Sequence, residues 1–100
     1  MTRATILHEA AEELWQAVAW YEERCSGLGL DFQQEVKVAV ESIQRFPNRW
    51  PIRKDGTRRL LIERFPYVVV YVAESDHVWI LAVAHCKRHP GYWRSRVHQG

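Results

Sequence analysis

Three short apolar runs dominate the second half of the sequence. Residues 58–65, 67–73 and 77–86 are rich in Leu, Ile, Val, Tyr and Trp, which suit a pleated and half-buried surface. Pro66 and the segment 74–76 separate the runs. Because tight connections join antiparallel neighbours, the pattern predicts a three-stranded meander. Residues 67–73 are apolar on both faces, which predicts an inner strand covered on at least one side.

The first half shows helical rather than strand periodicity. Residues 3–8 are β-branched in part and predict an edge strand, after which a helix is expected to begin near His8. Gly27 and Gly29 are expected to end this helix, and Asp31 to cap a second one that ends at Phe46 and Pro47. The apolar stripe of the first helix is Ala11, Leu14, Trp15, Val18, Tyr21 and Cys25; that of the second is Phe32, Val36, Ala39, Val40 and Ile43.

These elements define an α+β fold with the order β-α-α-β-β-β. A short loop between two amphipathic helices makes an antiparallel hairpin, and we expect its apolar side to pack on the small, mainly antiparallel sheet. The length of 100 residues and the absence of a long linker predict a single domain over residues 1–100.

Charge is divided unevenly along the chain. Up to residue 44 there are three Lys/Arg against eight Asp/Glu, and from residue 45 onward eleven against four. The acidic half is therefore followed by a basic half, which indicates a polyanion or an acidic partner for the second half. The loop at residues 48–56 carries Arg49, Arg53 and Lys54; it is either a solvated loop or a basic rim that folds towards Arg88.

Several functional classes are disfavoured by the sequence. Two cysteines are too few for a disulfide framework, and we expect reduced thiols, with Cys86 buried. No run reaches the length of a membrane span or has the pattern of a signal peptide, so a cytoplasmic location is expected. His85, Cys86 and His89 make a poor metal site because neighbouring strand residues point to opposite faces, and we expect no metal and no cofactor.

The segment 85–96 (HCKRHPGYWRSR) is the densest functional candidate. Basic residues alternate there with aromatic ones, a combination that suits nucleic acid. Strand alternation predicts His85 and Lys87 on one side and Cys86 and Arg88 on the other. Tyr92 and Trp93 have a second interpretation, in which they attach this segment to the core.

Metal-free RNA cleavage needs few groups, and the sequence contains them. A base must take the 2′-hydroxyl proton, cations must stabilise charge on phosphorus, and an acid must assist the leaving oxygen. His85 suits the base or acid and Tyr92 a proton donor. The electrostatic groups are Arg59, Lys87 and Arg88.

The chain resembles the RelE/ParE superfamily of bacterial type II toxins from about Arg3 to Arg96. The residues that carry this resemblance are the element order, Arg58–Leu61 leading to Phe65-Pro66-Tyr67, Ile80–His85, and Arg88-His89-Pro90-Gly91-Tyr92-Trp93. The ending at Pro90–Trp93 looks more like the ParE-like branch, which is associated with inhibition of DNA gyrase. The RelE-like branch, which cleaves mRNA at the ribosome, uses a lysine-rich helix, whereas Lys37 is the single lysine of the second predicted helix.

The resemblance implies a cytoplasmic toxin that inhibits growth and is neutralised by an antitoxin. Its target would be gyrase or, alternatively, the ribosome and its mRNA. Under the ribonuclease alternative the catalytic residues are His85, Arg88, Tyr92 and Arg59. The residues expected to bind the target or the antitoxin are Arg53, Lys54, Arg58, Lys87, Trp93, Arg94 and Arg96. We expect the antitoxin to present an amphipathic, acidic segment to the helical face and the basic sheet edge. A non-toxic nucleic-acid-binding module is a third interpretation.

Overall fold

A computed structural model of the chain describes residues 1–99, without the side chains of Pro90, His98 and Gln99. The predicted order β-α-α-β-β-β and the α+β class are confirmed. A 3₁₀ segment that the sequence did not predict follows the last strand. The elements are β1 (Arg3–Ile6), α1 (His8–Arg24), α2 (Leu28–Arg45), β2 (Arg58–Ile62), β3 (Tyr67–Ala73), β4 (His77–His85) and the 3₁₀ segment (Pro90–Gln99).

The four strands form one sheet in the order β1-β4-β3-β2. β2, β3 and β4 make the predicted antiparallel meander, and β1 pairs in parallel with β4, so that Arg3 lies opposite His77 and Ile6 opposite Ile80. The β3–β4 register shifts between Val70 and Tyr71. The predicted inner strand 67–73 and the predicted edge strand are both found.

The helices cover one face of the sheet. α1 and α2 pack on each other, and residues such as Phe32 and Ile43 are fully buried against Val69 and Ile80. Burial of each such side chain stabilises the fold by about 1.5–3 kcal/mol. Tyr71 belongs to the same core, where its hydroxyl donates a hydrogen bond to the Pro47 carbonyl at 2.8 Å. The predicted packing of the hairpin on the sheet is thus confirmed.

The opposite face is covered by the 3₁₀ segment. Trp93, 2% exposed, packs there with Val70, Ala82 and Ala84. The interpretation of Trp93 as a core residue is therefore correct, and the sheet is enclosed on both sides in this region.

The junction between the helices is shorter than the sequence indicated. Gly27, at a φ of 89° that glycine adopts readily, precedes the first residue of α2, and Asp31 lies inside the first turn, so the prediction of Asp31 as the cap is wrong. Glu22 takes the capping role, because its carboxylate accepts hydrogen bonds from the Gly27 and Gly29 N–H groups at 2.8 and 2.9 Å. A Cβ on Gly29 would lie 2.5 Å from the Val18 carbonyl oxygen, which shows how closely the helices approach.

Three apolar side chains depart from the predicted core. Trp15 is 53% exposed although it lies in the predicted stripe of α1, and Cys25 and Cys86 are free, exposed thiols. Trp15 is exposed because the buried line of α1 runs through Ala10 and Ala17, where small side chains allow close packing. Cys86 is exposed because β4 ends one residue earlier. Within residues 1–99, no helix has the length and apolarity needed to cross a membrane.

Candidate functional site

A tight turn at the end of β4 determines where the basic residues of the 85–96 segment lie. The strand ends at His85, the Cys86 N–H donates to the Pro66 carbonyl at 2.7 Å, and the Arg88 N–H donates to the His85 carbonyl at 2.9 Å. The Lys87 N–H donates to Nδ1 of His85 at 3.0 Å. The strand alternation predicted for residues 85–88 therefore fails after His85, because the chain turns back on itself.

The turn brings His85, Arg88 and Tyr92 to one depression of about 400 Å³, which we call the His85 depression. The Tyr67 and His85 rings meet edge to face at 5.2 Å, and the Arg88 guanidinium lies 4.2 Å from the centroid of the Tyr92 ring. The remaining lining comes from α1 and the sheet: Glu13, Gln16, Ala17, Trp20, Tyr21 and Val83.

Glu13 connects α1 to this depression and to the sheet. β1 ends at Ile6, so the part of β4 beyond Ile80 has no strand neighbour on that side. Oε1 of Glu13 accepts the Val83 N–H at 3.1 Å and Nη1 of Arg96 at 3.0 Å, and the same Nη1 donates to the Leu81 carbonyl at 3.0 Å. The side chains of Glu13 and Arg96 thus make the hydrogen bonds to β4 that a neighbouring strand would otherwise make.

Tyr92 is a weaker acid than an ordinary tyrosine. Burial raises the pKa of its hydroxyl, a hydrogen bond to Glu13 and the negative charge of that carboxylate raise it further, and Arg96 and Arg88 oppose the shift. A general acid works best when its pKa lies near the working pH. The environment of Tyr92 therefore disfavours the role of proton donor.

Arg59 lies on the other face of the sheet from His85. It pairs with Val70, whose side chain packs with Trp93, and its guanidinium lies 4.9 Å from the centroid of the Trp93 ring. His85 instead packs on Tyr67, on the helix side. The four residues of the ribonuclease alternative are thus divided between two faces.

A second depression of about 730 Å³ surrounds Arg59. We call it the cationic depression, and it is lined by Ile52, Arg53, Lys54, Asp55, Arg59 and Arg94. The loop carrying Arg53 and Lys54 therefore meets Arg59 and Arg94, rather than Arg88 as the basic-rim interpretation required. Nη2 of Arg59 lies 3.7 Å from Oδ2 of Asp55.

Asp55 is held in its charged form by its neighbours. Burial alone would raise its pKa, but hydrogen bonds from Thr57 and the positive charges of Arg59 and Arg94 outweigh burial, so its pKa lies below the usual value. Oδ1 accepts the Thr57 N–H at 3.0 Å and the Thr57 hydroxyl at 2.6 Å. The pKa of Arg59 is lowered by burial and by the charges of Arg53 and Arg94, against the opposing effect of Asp55.

The remaining predicted binding residues have separate surroundings. Arg58 donates to the backbone carbonyls of Asn48 and Trp50 at 3.2 and 2.7 Å, so it holds the loop before β2. Arg96 forms the ion pair with Glu13, and Lys87 is exposed in the turn. Within residues 1–99, no three His, Cys, Asp or Glu side chains are grouped in a way that could hold a metal ion.

Sequence reasoning missed Glu13 and Asp55 as parts of these sites. Glu13 lies among the acids of the first turns of α1, where a solvent-exposed carboxylate is the ordinary outcome, and its partners Val83 and Arg96 are distant in sequence. Asp55 followed by Gly56 and Thr57 is a common turn sequence, and that signal could have identified a carboxylate hydrogen-bonded to its own turn.

Comparison with known proteins identifies the class of this fold. A chain from the structure of the chromosomal ParDE toxin–antitoxin system of P. aeruginosa has the same fold, with a TM-score of 0.72 and 22% identity over 85% of this chain and 96% of that chain. No curated protein matches the sequence. The two chains therefore share their fold.

The family model for the ParE toxin of the type II toxin–antitoxin system parDE matches residues 5–90. The chain therefore belongs to the ParE toxin family. Membership of this family implies an antitoxin partner.

Proposed function

We propose that this toxin inhibits DNA gyrase in the cytoplasm, stops growth when unopposed, and is neutralised by its cognate antitoxin. One observation favours gyrase inhibition over RNA cleavage: Arg59 lies with Trp93 on one face of the sheet, whereas His85 lies on the other. The high pKa of Tyr92 also weakens the acid that RNA cleavage would need. Inhibition by binding requires no such convergence of catalytic groups.

RNA cleavage is the second candidate because His85, Arg88 and Tyr92 share one depression. The two proposals are separated by adding the purified chain to a gyrase supercoiling assay and to a translating extract in which mRNA ends are mapped. We expect loss of supercoiling and intact mRNA. Cleaved mRNA with unaffected supercoiling would reverse the assignment.

Substitutions in the His85 depression also separate gyrase inhibition from RNA cleavage. We expect Arg88→Ala and His85→Ala to keep gyrase inhibition within about threefold, because neither needs to act chemically. Circular dichroism would show that both variants are folded. If both were folded and lost all toxicity in cells, the ribonuclease alternative would be favoured.

We propose that the antitoxin docks on the groove between α1, α2 and β1. The groove has a volume of about 730 Å³, and its lining includes Trp15 and Leu30, which are 53% and 66% exposed. Exposed apolar side chains gathered in one groove are typical of a protein-binding surface. The apolar lining suits the apolar side of the amphipathic segment that we expect of the antitoxin; the acidic side of that segment would face the basic sheet edge. Its other lining residues are Met1, Ile6, Leu14, Gln33, Gln34, Val36, Lys37, Val40, Glu41 and Gln44.

Addition of the antitoxin tests the neutralisation. We expect a stoichiometric complex in which supercoiling by gyrase is restored. Restoration without complex formation, or a complex that still inhibits gyrase, would contradict the proposal.

A further inference from the structure

We propose that the cationic depression is a phosphate-binding site that takes a phosphate group from a nucleic-acid backbone or from a free nucleotide. Four cations and one carboxylate line it, so its formal charge is strongly positive: Arg53, Lys54, Arg59 and Arg94 against Asp55. Arginine binds phosphate well because its planar guanidinium donates two parallel hydrogen bonds. This inference does not depend on gyrase being the target.

The single carboxylate does not neutralise the depression. Oδ1 of Asp55 already accepts two hydrogen bonds from Thr57, and Oδ2 faces Arg59 at 3.7 Å. Within the described part of the chain, the side chains of Arg53, Lys54 and Arg94 make no hydrogen bond or salt bridge to a neighbour. Three cations are therefore available to an incoming anion.

Arg59 is also repelled by two neighbouring cations. Arg53 and Arg94 both act electrostatically on Arg59, whose side chain is only 21% exposed. Partial burial of the Arg59 charge beside two other cations costs free energy unless an opposite charge compensates it. A bound phosphate would provide that compensation.

The backbone of the turn and the side chain of Arg59 are held by contacts within the protein. The turn that carries Arg53 and Lys54 is closed by hydrogen bonds from the Arg53 N–H to the Thr57 carbonyl at 2.8 Å and from the Gly56 N–H to the Arg53 carbonyl at 2.9 Å. Arg59 rests on the ring of Trp93, which is buried. A preorganised site loses less conformational entropy when it binds its ligand.

The test uses the purified chain with three probes: pyrophosphate, a mononucleotide and a short DNA duplex. The double variant Arg53→Gln/Arg94→Gln removes two cations of the depression. The matched control Arg3→Gln/Arg45→Gln removes two exposed cations that line a different depression, so the two variants have the same net charge.

We expect pyrophosphate to shift the NMR signals of the Arg59 Nε–H and of the amides of residues 53–57. The Arg53/Arg94 variant should bind all probes about tenfold more weakly, with a salt slope for the duplex lower by about two, whereas the control should change affinity by less than about threefold. Much tighter, salt-dependent duplex binding would identify a nucleic-acid backbone as the source. An affinity for the mononucleotide equal to that for the duplex would identify a free nucleotide as the source of the phosphate.

Three results would overturn the proposal. The first is equal weakening by both double variants, which would show a general charge effect. The second is the absence of any shift at residues 53–57 and Arg59 with pyrophosphate. The third is competition by an acidic peptide at concentrations where pyrophosphate has no effect, which would assign the depression to carboxylates of a protein.

Discussion

Glu13 of α1 and Arg96 of the 3₁₀ segment form an ion pair of 3.0 Å across 83 residues of sequence, and both side chains are less than one-sixth exposed. The pair lies where β1 stops covering β4 and satisfies the free Leu81 carbonyl and Val83 N–H. The ion pair therefore joins α1, β4 and the 3₁₀ segment that covers the far face of the sheet.

We expect Glu13→Ala to lower the free energy of unfolding by about 2–3 kcal/mol, because it leaves the Val83 N–H and the Arg96 charge without their partner. Urea unfolding followed by circular dichroism measures the change. The control is Glu12→Ala, whose exposed carboxylate pairs with His8 and should contribute less than about 0.5 kcal/mol. A similar loss of unfolding free energy in the two variants would show that the buried ion pair stabilises the protein no more than the exposed one.

Gly29→Ala should destabilise the protein by about 1–3 kcal/mol, because its Cβ would overlap the Val18 carbonyl oxygen. In an ordinary helical position the same change stabilises a protein by roughly 0.5–1 kcal/mol, so the sign of the effect is diagnostic. Thermal unfolding of Gly29→Ala beside the exposed control Gln34→Ala measures it. A gain in stability would mean that the helices do not cross as closely as described.

The buried hydroxyl of Tyr71 makes the stability of the protein depend on pH in the alkaline range. Burial raises the pKa of Tyr71 to about 12, with the charge of Arg58 opposing the shift, whereas an unfolded tyrosine ionises near pH ~10. The unfolded state therefore loses this proton first, and the stability contributed by the neutral hydroxyl is complete below pH ~10 and is lost as the pH rises towards about 12.

Tyr71→Phe should flatten the dependence of the unfolding free energy on pH in that window. At neutral pH the variant should be less stable by about 1 kcal/mol, since the hydrogen bond to Pro47 is lost. Urea unfolding at several pH values between about 9 and 11.5 tests this. An unchanged slope would locate the alkaline sensitivity in another group.

Leu30→Glu should weaken the antitoxin complex by about tenfold or more, because a charge would enter the apolar groove. The control is Val38→Glu, a second exposed apolar position of α2 that lines a different depression. Calorimetric titration with the antitoxin measures both, and gyrase inhibition by the free variants should equal that of the parent chain. A stronger effect of Val38→Glu would move the docking surface to the other side of α2.

Local pattern was sufficient to predict the strands, the helices and their order. Strand alternation and short breaks identify β2, β3 and β4. Burial of Trp93 could be predicted as one of two interpretations because large aromatic side chains are ordinary core residues. The N-terminus of α2 was misplaced because Glu22, which caps it, belongs to the preceding helix. Such a contact depends on how closely the two helices approach, which no local window contains.

The candidate sites were harder to predict than the fold because they depend on strand register. Arg59 and His85 were grouped by chemical type, but pairing of Arg59 with Val70 places it on the face opposite His85. A shift of one residue in register would reverse that placement. The turn that brings Arg88 back to His85 could likewise not be predicted from strand alternation, because alternation applies only while the strand continues.

The parallel pairing of β1 with β4 brings together two segments that are far apart in the sequence. Arg3 meets His77 and Ile6 meets Ile80, so the first strand must close a loop that contains both helices and the other two strands. Contacts between residues so distant in sequence make folding slow, because the chain loses conformational entropy before the contacts stabilise it. A nascent chain that has not passed β4 lacks His85, Arg88 and Arg94, so neither the His85 depression nor the cationic depression can form until most of the chain has been made.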